Sequence, residues 1–118
     1  MKLKEVMETA GVDYETTLNR FSGNEGLLER FVRKFPGDPT FEALKAAVLE
    51  KQYNEVERSA HTLKGIAANL GFQHLSDLNA EVVALIRSNA FSDGPVCEAF
   101  ARVSEEYCKV IGCLGRLD

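Results

Sequence analysis

The apolar residues of this sequence recur at intervals of three and four positions, with almost no alternation of apolar and polar residues. Residues at that spacing share one face of an α-helix, whereas a half-buried β-strand needs a period of two. Only three prolines and nine glycines interrupt the 118 residues, so the apolar stripes are long. The pattern predicts an all-α protein.

The breaks between the apolar stripes indicate where helices begin and end. Asp13 is suited to cap a short helix from Tyr14, and Gly71 is suited to the left-handed conformation that follows a helix. The other predicted helices are Leu27–Phe35, a helix capped by Asp38 that carries Phe41 to Leu49, Tyr53–Leu70, Leu75–Leu85 and a last segment opened by Asp93-Gly94-Pro95. Long helices with short connections favour an antiparallel four-helix bundle, with one or two short N-terminal helices packed against one end. The length predicts one domain over residues 1–118.

Charge and composition argue against several classes of function. A net charge of −4 without a basic run makes nucleic acid a poor partner. No apolar run is long enough for a membrane span, and the first residues lack a signal-peptide core, so we expect a cytoplasmic protein without membrane association. The spacing of Cys97, Cys108 and Cys113 fits no metal or redox motif and predicts reduced thiols packed at the core or its boundary.

The helix predicted over Tyr53–Leu70 separates into an apolar and a polar side around His61. On a helical wheel, the residues opposite His61 or beside that seam are Val56, Ala60, Leu63, Ile66, Ala67 and Leu70. The polar stripe that contains His61 also carries Asn54, Glu57, Arg58, Lys64, Gly65 and Ala68. The wheel therefore predicts an imidazole that faces water, with small residues on its C-terminal side.

Gly65 and Lys64 make His61 a candidate nucleophile. A glycine inside a helix costs about 1 kcal/mol relative to alanine, and at i+4 it leaves one edge of the imidazole open to another protein. The Lys64 ammonium, at i+3, can partly neutralise a phosphoryl charge of about −1.5 to −2. The same glycine could instead allow close packing of a neighbouring helix, and a surface histidine often has no function.

The string Ala60-His61-Thr62-Leu63-Lys64-Gly65, followed by Ala67-Ala68-Asn69-Leu70-Gly71, resembles histidine phosphotransfer (HPt) domains. The resemblance implies a four-helix bundle whose exposed mid-helix histidine is phosphorylated. It also implies a phosphocarrier without kinase activity of its own, which takes the phosphoryl group from a receiver-domain aspartate and passes it to another receiver. Partners would be receiver domains of response regulators or a hybrid histidine kinase, with Mg²⁺ held by the receiver. We expect a monomer that itself binds no cofactor or metal.

The sequence departs from the family at one position. Many members carry Gln or Glu on the following helix, opposite the histidine, where this chain has Val83. Asn79 and Arg87, one turn to either side of Val83, are candidates to contact His61 or its phosphoryl group, and Arg87 ranks higher because its planar guanidinium suits phosphate. Arg58 and Asn69 are further supporting candidates.

A transient partner needs some apolar contact surface around the histidine. The candidate docking residues are Val12, Leu18, Phe21, Ala68, Phe72, Val83 and Ile86. Leu18 and Phe21 are more typical of core residues, or of residues that belong to both the core and the docking surface. One alternative function is an adapter bundle that binds a receiver or kinase and never takes phosphate. A di-iron bundle enzyme is disfavoured, because neither His61 nor His74 follows a Glu by three positions.

Overall fold

The computed structural model describes residues 1–118, and all of its regular structure is helical. The helices are α1 Leu3–Thr9, α2 Tyr14–Arg20, α3 Glu25–Lys34, α4 Thr40–Leu49, α5 Tyr53–Asn69, α6 Gln73–Arg87 and α7 Asp93–Leu114, with a 3₁₀ turn at Phe35–Gly37. The prediction of an all-α chain is confirmed. No helix combines the length and the apolar character that a membrane span requires.

Helices α4 to α7 form the four-helix bundle. Each contacts the next in chain order, and α7 closes the ring by packing on α4. Connections of a few residues make consecutive helices antiparallel. The most extensive contact joins α5 and α6, the two helices that carry the residues singled out in the sequence.

Aromatic rings fill the core of the bundle near the 3₁₀ turn. Phe41 of α4 stacks on Tyr107 of α7 with ring centroids 3.9 Å apart, and Phe100 stacks on the same Phe41. Phe35 packs its ring against Tyr107 and Phe72. Such contacts tie the end of α3 and the beginning of α6 to the bundle.

Three short helices precede the bundle, one more than the sequence predicted. The additional helix, α1, buries Leu3, Val6 and Met7 and packs mainly on α7. Its seven residues give the apolar period too little length to stand out. The predicted cap of α2 is confirmed, since the Asp13 carboxylate accepts a hydrogen bond from the Thr16 amide at 3.1 Å.

The C-terminal end of α5 is closed by the chain reversal at Gly71 and by α2. Gly71 has φ +86°, and the amides of Gly71 and Phe72 donate to the carbonyls of Ala68 (3.1 Å) and Ala67 (2.8 Å). A Cβ on Gly71 would lie 2.2 Å from Oγ1 of Thr17, so α2 packs directly on this turn. The prediction that Gly71 ends this helix is confirmed.

Helix α2 is in turn connected to α3 by a buried side chain. The Tyr14 hydroxyl, on a ring that is almost fully buried, donates a hydrogen bond to the Glu25 carboxylate at the start of α3. Burial, followed by the hydrogen bond and the negative charge of Glu25, raises the pKa of Tyr14 above its usual value. The short helices thus form a connected cap over the end of α5.

Candidate functional site

His61 lies near the middle of α5 and is exposed to solvent. The opposite face of the helix is buried, with Val56 at 0% and Leu63 at 1% exposure. The division into core and solvent faces that the wheel predicted is confirmed, with one exception. Ile66 is only half-buried and contributes to a surface groove.

Gly65, one turn after His61, is exposed and opens the surface on that side of the imidazole. A Cβ built on Gly65 would meet no atom within 4 Å outside its own helix backbone and chain neighbours. Close packing of a neighbouring helix therefore does not explain this glycine. Gly65 weakens the helix and leaves the surface beside it open.

Two side-chain contacts define how α6 lies along α5. The Ser76 hydroxyl donates to the Lys64 carbonyl at 3.0 Å, and Arg87 Nε lies 3.3 Å from Glu57 Oε2. Between Ser76 and Arg87, the residues on or beside the same side of α6 are Ala80, which is half-buried, Val83, which is buried, and Ala84, which is exposed. Between those two polar residues, this side of α6 therefore presents only apolar side chains.

Two predictions for α6 need correction. Asn79 is fully buried, its amide nitrogen donates to the Leu75 carbonyl at 2.9 Å, and its Oδ1 has no partner. Asn79 therefore cannot contact the exposed imidazole. Val83 is also buried, at 3% exposure, because it belongs to the core face of α6. Val83 lies one turn before Arg87 on α6, but it is buried and apolar, so it presents no group to the exposed imidazole.

Arg87 does reach the histidine region. It lines a shallow pocket on the N-terminal side of the imidazole, together with Asn54, Glu57, Arg58, His61 and Thr62. The pocket has no apolar lining residue. Arg58 pairs with Glu55 at 3.0 Å, and Arg87 pairs with Glu57. The predicted support residues Arg58 and Arg87 thus share one pocket with His61.

Lys64 and Asn69 lie on the other side of the histidine. The Lys64 side chain is half-buried and makes no ion pair. Asn69 is exposed at the end of α5, where it lines an apolar groove rather than the polar pocket. The cationic groups around His61 are therefore two paired arginines on one side and an unpaired lysine on the other.

Most of the predicted docking residues are inside the protein. Val12, Phe21, Phe72, Val83 and Ile86 are all buried, with exposures of 8% or less. Large apolar side chains on amphipathic helices usually pack inward, and each of these five joins the core. Leu18 and Ala68 are half-buried, so only these two of the seven retain accessible surface.

An apolar groove that the sequence reading missed lies beside the C-terminal half of α5. Its apolar lining consists of Phe31, Phe35, Ile66 and Leu70, and its polar lining of Lys34, Asp38 and Asn69. Phe31 is 44% exposed, one of the few large apolar side chains on the surface. The exposure of the Phe31 ring could not be predicted from the sequence, because Phe31 belongs to an apolar stripe that otherwise faces inward. Its exposure depends on how α3 is placed beside α5.

Arg20 was also missed. Its Nη1 donates to the carbonyl oxygens of Ala68 (2.8 Å) and Asn69 (3.1 Å) in the last turn of α5, where the Ala68 carbonyl also accepts from the Gly71 amide. A basic residue at the end of one helix that caps another helix is visible only once α2 and α5 are placed together. This contact orders the helix end without touching His61.

The remaining reactive residues do not assemble into a second site. No group of three His, Cys, Asp or Glu side chains is arranged to hold a metal ion. Cys97 and Cys108 are exposed and Cys113 is half-buried, and all three are free thiols. The prediction of packed cysteines was wrong for Cys97 and Cys108, because both lie on the solvent face of α7.

Comparison with known proteins gave one match. Neither a search of curated proteins nor a search of solved structures found a counterpart for the chain. A family model described as the Hpt domain matches residues 26–109, which is most of the chain and leaves α1 and α2 outside. The match confirms the resemblance seen in the sequence, and it implies a histidine phosphotransfer role in a phosphorelay. With its helical bundle and exposed mid-helix histidine, the chain belongs to the Hpt domain family.

Proposed function

We propose that this protein is a phosphorelay intermediate that carries a phosphoryl group on His61. The observation that carries the proposal is the exposed imidazole in the middle of α5, with open space at Gly65 and three basic side chains nearby. A neutral imidazole is a competent nucleophile that needs no activating base.

In the proposed transfer, the lone pair on the distal nitrogen (Nε2) of His61 attacks the phosphorus of a receiver's aspartyl phosphate. The bond between phosphorus and the acyl oxygen breaks, and the aspartate leaves as a carboxylate with the electron pair. The reverse reaction passes the group to a second receiver. The receiver supplies Mg²⁺ and most of the charge stabilisation, while this chain supplies a positioned nucleophile and no kinase activity.

The basic groups around His61 have separate roles in this proposal. The Lys64 ammonium has no competing ion pair, so it is free to approach the phosphoryl oxygens. Arg87 and Arg58 approach from the polar pocket on the other side. Together they offset part of the charge of about −1.5 to −2 that a phosphoryl group adds.

The receiver is proposed to dock over Gly65 and along the groove beside the C-terminal half of α5. Phe31 and Ile66 offer apolar area there, with Leu18 and Ala68 as partly exposed neighbours. An interface of this kind suits a partner that must bind and leave. It replaces the docking set expected from the sequence, most of which is buried.

Transfer of label from phosphorylated receiver domains tests the proposal. We expect a panel of receivers to include donors that label the protein, with a product that is labile in acid and stable in alkali, as phosphohistidine is. His61→Gln should abolish labelling, while His74→Gln, an exposed histidine at the start of α6, should leave it unchanged. Binding of a receiver without any transfer would contradict the proposal and favour an adapter.

A further inference from the structure

Arg87 reaches the pocket of His61, but its guanidinium is already engaged by a carboxylate. Its Nε lies 3.3 Å from Oε2 of Glu57, which stands one turn before His61 on α5. Both side chains line the pocket with the imidazole. Without a phosphoryl group, the charges of Arg87 and Glu57 therefore largely offset each other within the pocket.

The pair is better placed to act on the site than the other arginine pair in the pocket. Glu57 is 35% and Arg87 59% exposed, and their contact bridges α5 and α6. Arg58 and Glu55 are 74% and 50% exposed and lie three residues apart on the same helix. Water and salt screen the exposed pair more strongly, so the interaction of Arg87 with Glu57 is the more persistent one.

A phosphoryl group on His61 would change this balance. Its oxygens would attract the planar guanidinium of Arg87, which suits bidentate contacts to phosphate, and would repel the Glu57 carboxylate. Glu57 and the phosphoryl group would then compete for one guanidinium. Lys64 takes no part in this competition, because it has no carboxylate partner.

We infer that Glu57 shortens the lifetime of the phosphoryl group on His61 by competing for Arg87. The inference rests on the proposed phosphorylation of His61 and adds a residue that regulates it. Glu57 is a positioning residue in this account, since it acts through Arg87 and need not touch the phosphoryl group.

The expected direction follows from the chemistry of phosphohistidine loss. In hydrolysis the bond between phosphorus and Nε2 breaks, its electron pair returns to Nε2, which takes a proton, and a water oxygen bonds to phosphorus to give inorganic phosphate. The transition state is loose. As the bond to Nε2 breaks, electron density moves from the phosphoryl oxygens toward the departing nitrogen, so the oxygens carry less negative charge than in the ground state. A guanidinium on those oxygens therefore stabilises the ground state and slows hydrolysis.

The test measures the half-life of the phosphorylated protein alone, after chemical labelling with phosphoramidate. All variants carry His74→Gln, because His74 is also exposed and would otherwise take label beside His61. Phosphorus NMR follows the loss of phosphohistidine to inorganic phosphate. Glu57→Gln should lengthen the half-life by about twofold to fivefold, the range expected for one exposed ion pair. Arg87→Ala should shorten it, and the double variant should match Arg87→Ala.

Glu81→Gln is the matched control. It removes the same charge and releases another arginine, Arg102, from an exposed pair between α6 and α7, at 4.0 Å. It should leave the half-life unchanged. A half-life in Glu57→Gln equal to that of the wild type would overturn the inference, as would a lengthening that persists without Arg87.

The same experiment separates this inference from the proposed function. Phosphoramidate labels an exposed histidine without any receiver, so the half-lives can be compared even if no receiver transfers label. Labelling by phosphoramidate with the predicted half-lives, but without transfer from receivers, would retain the role of Glu57 and contradict the relay. Transfer from receivers, with equal half-lives in the wild type and in Glu57→Gln, would support the relay and contradict the role of Glu57.

Discussion

Gly65 and Gly71 belong to the same helix and its terminating turn, and they are glycines for opposite reasons. Gly65 has ordinary helical backbone, and a Cβ added to it would meet nothing within 4 Å. Gly71 has φ +86°, and a Cβ there would overlap Thr17 and Val12 of the N-terminal segment. The first glycine has open space around it, and the second is required by the chain's own packing.

The contrast extends to the surroundings of the two glycines. The middle of α5 displays the exposed His61 and faces apolar side chains of α6. The end of α5 is covered by α2 and held by Arg20. Because these regions are separate, substitutions in the middle should change transfer and those at the end should change stability.

The largest expected effect is that of Gly71→Ala. The positive φ costs an L-residue about 1–2 kcal/mol, and forcing a methyl group into Thr17 adds roughly 1–3 kcal/mol. Denaturant unfolding measures the loss. Gly11→Ala is the matched control, since Gly11 has φ +85° but open space around it. Equal losses in the two variants would show that contact with α2 is unimportant.

Gly65→Leu should have the next largest effect, on transfer rather than on stability. Leucine suits a helix better than glycine, so the free energy of unfolding should rise by about 0.5–1 kcal/mol. Its side chain should displace the incoming receiver and slow phosphotransfer by roughly 10- to 100-fold. Stopped-flow or gel-based transfer rates give the comparison. Transfer at the wild-type rate would mean that the receiver does not approach over this residue.

Arg20→Ala should reduce stability by about 1 kcal/mol, because two carbonyls at the end of α5 lose a charged donor that is itself exposed. Labelling of His61 should be unaffected. Arg30→Ala removes the same charge from a solvent-exposed side chain that makes no ion pair, and it should leave the unfolding midpoint unchanged. A slower transfer in Arg20→Ala at full stability would contradict the separation of the two regions.

Phe31→Ala should have the smallest effect, a loss of about 1 kcal/mol in receiver affinity, or roughly fivefold in Kd. The ring is partly exposed at the edge of the groove beside α5, so little core packing is removed. Titration calorimetry with a receiver that transfers label measures the change. Leu49→Ala, another exposed apolar residue, at the end of α4, is the control and should bind normally.

The features that sequence reasoning predicted correctly depend on one helix at a time. The exposure of His61 follows from the burial of Val56 and Leu63 on the opposite face of α5. The cap at Asp13 and the end at Gly71 follow from the backbone preferences of those residues. Each is a local property that needs no knowledge of neighbouring helices.

The features that were missed depend on how two helices lie against each other. Asn79 was assigned to the active face, but the packing of α6 on α5 buries it. The rings of Phe21 and Phe31 contact each other, and the position of α3 determines that Phe31 is exposed and Phe21 is buried. The contact between Arg20 and the end of α5 joins residues almost 50 positions apart, which no periodic pattern reveals.

The attachment of α5 along its length has a consequence for how a signal would pass through this protein. Ser76 and Arg20 contribute to holding the helix at Lys64 and at its C-terminal end through its backbone carbonyls, while the His61 ring stands outside these contacts. A phosphoryl group on that ring would rearrange surface charges and leave the backbone in place. We therefore expect amide hydrogen exchange in α5 to be the same with and without the group. The information would be stored as occupancy of one atom, readable only by a partner that touches it.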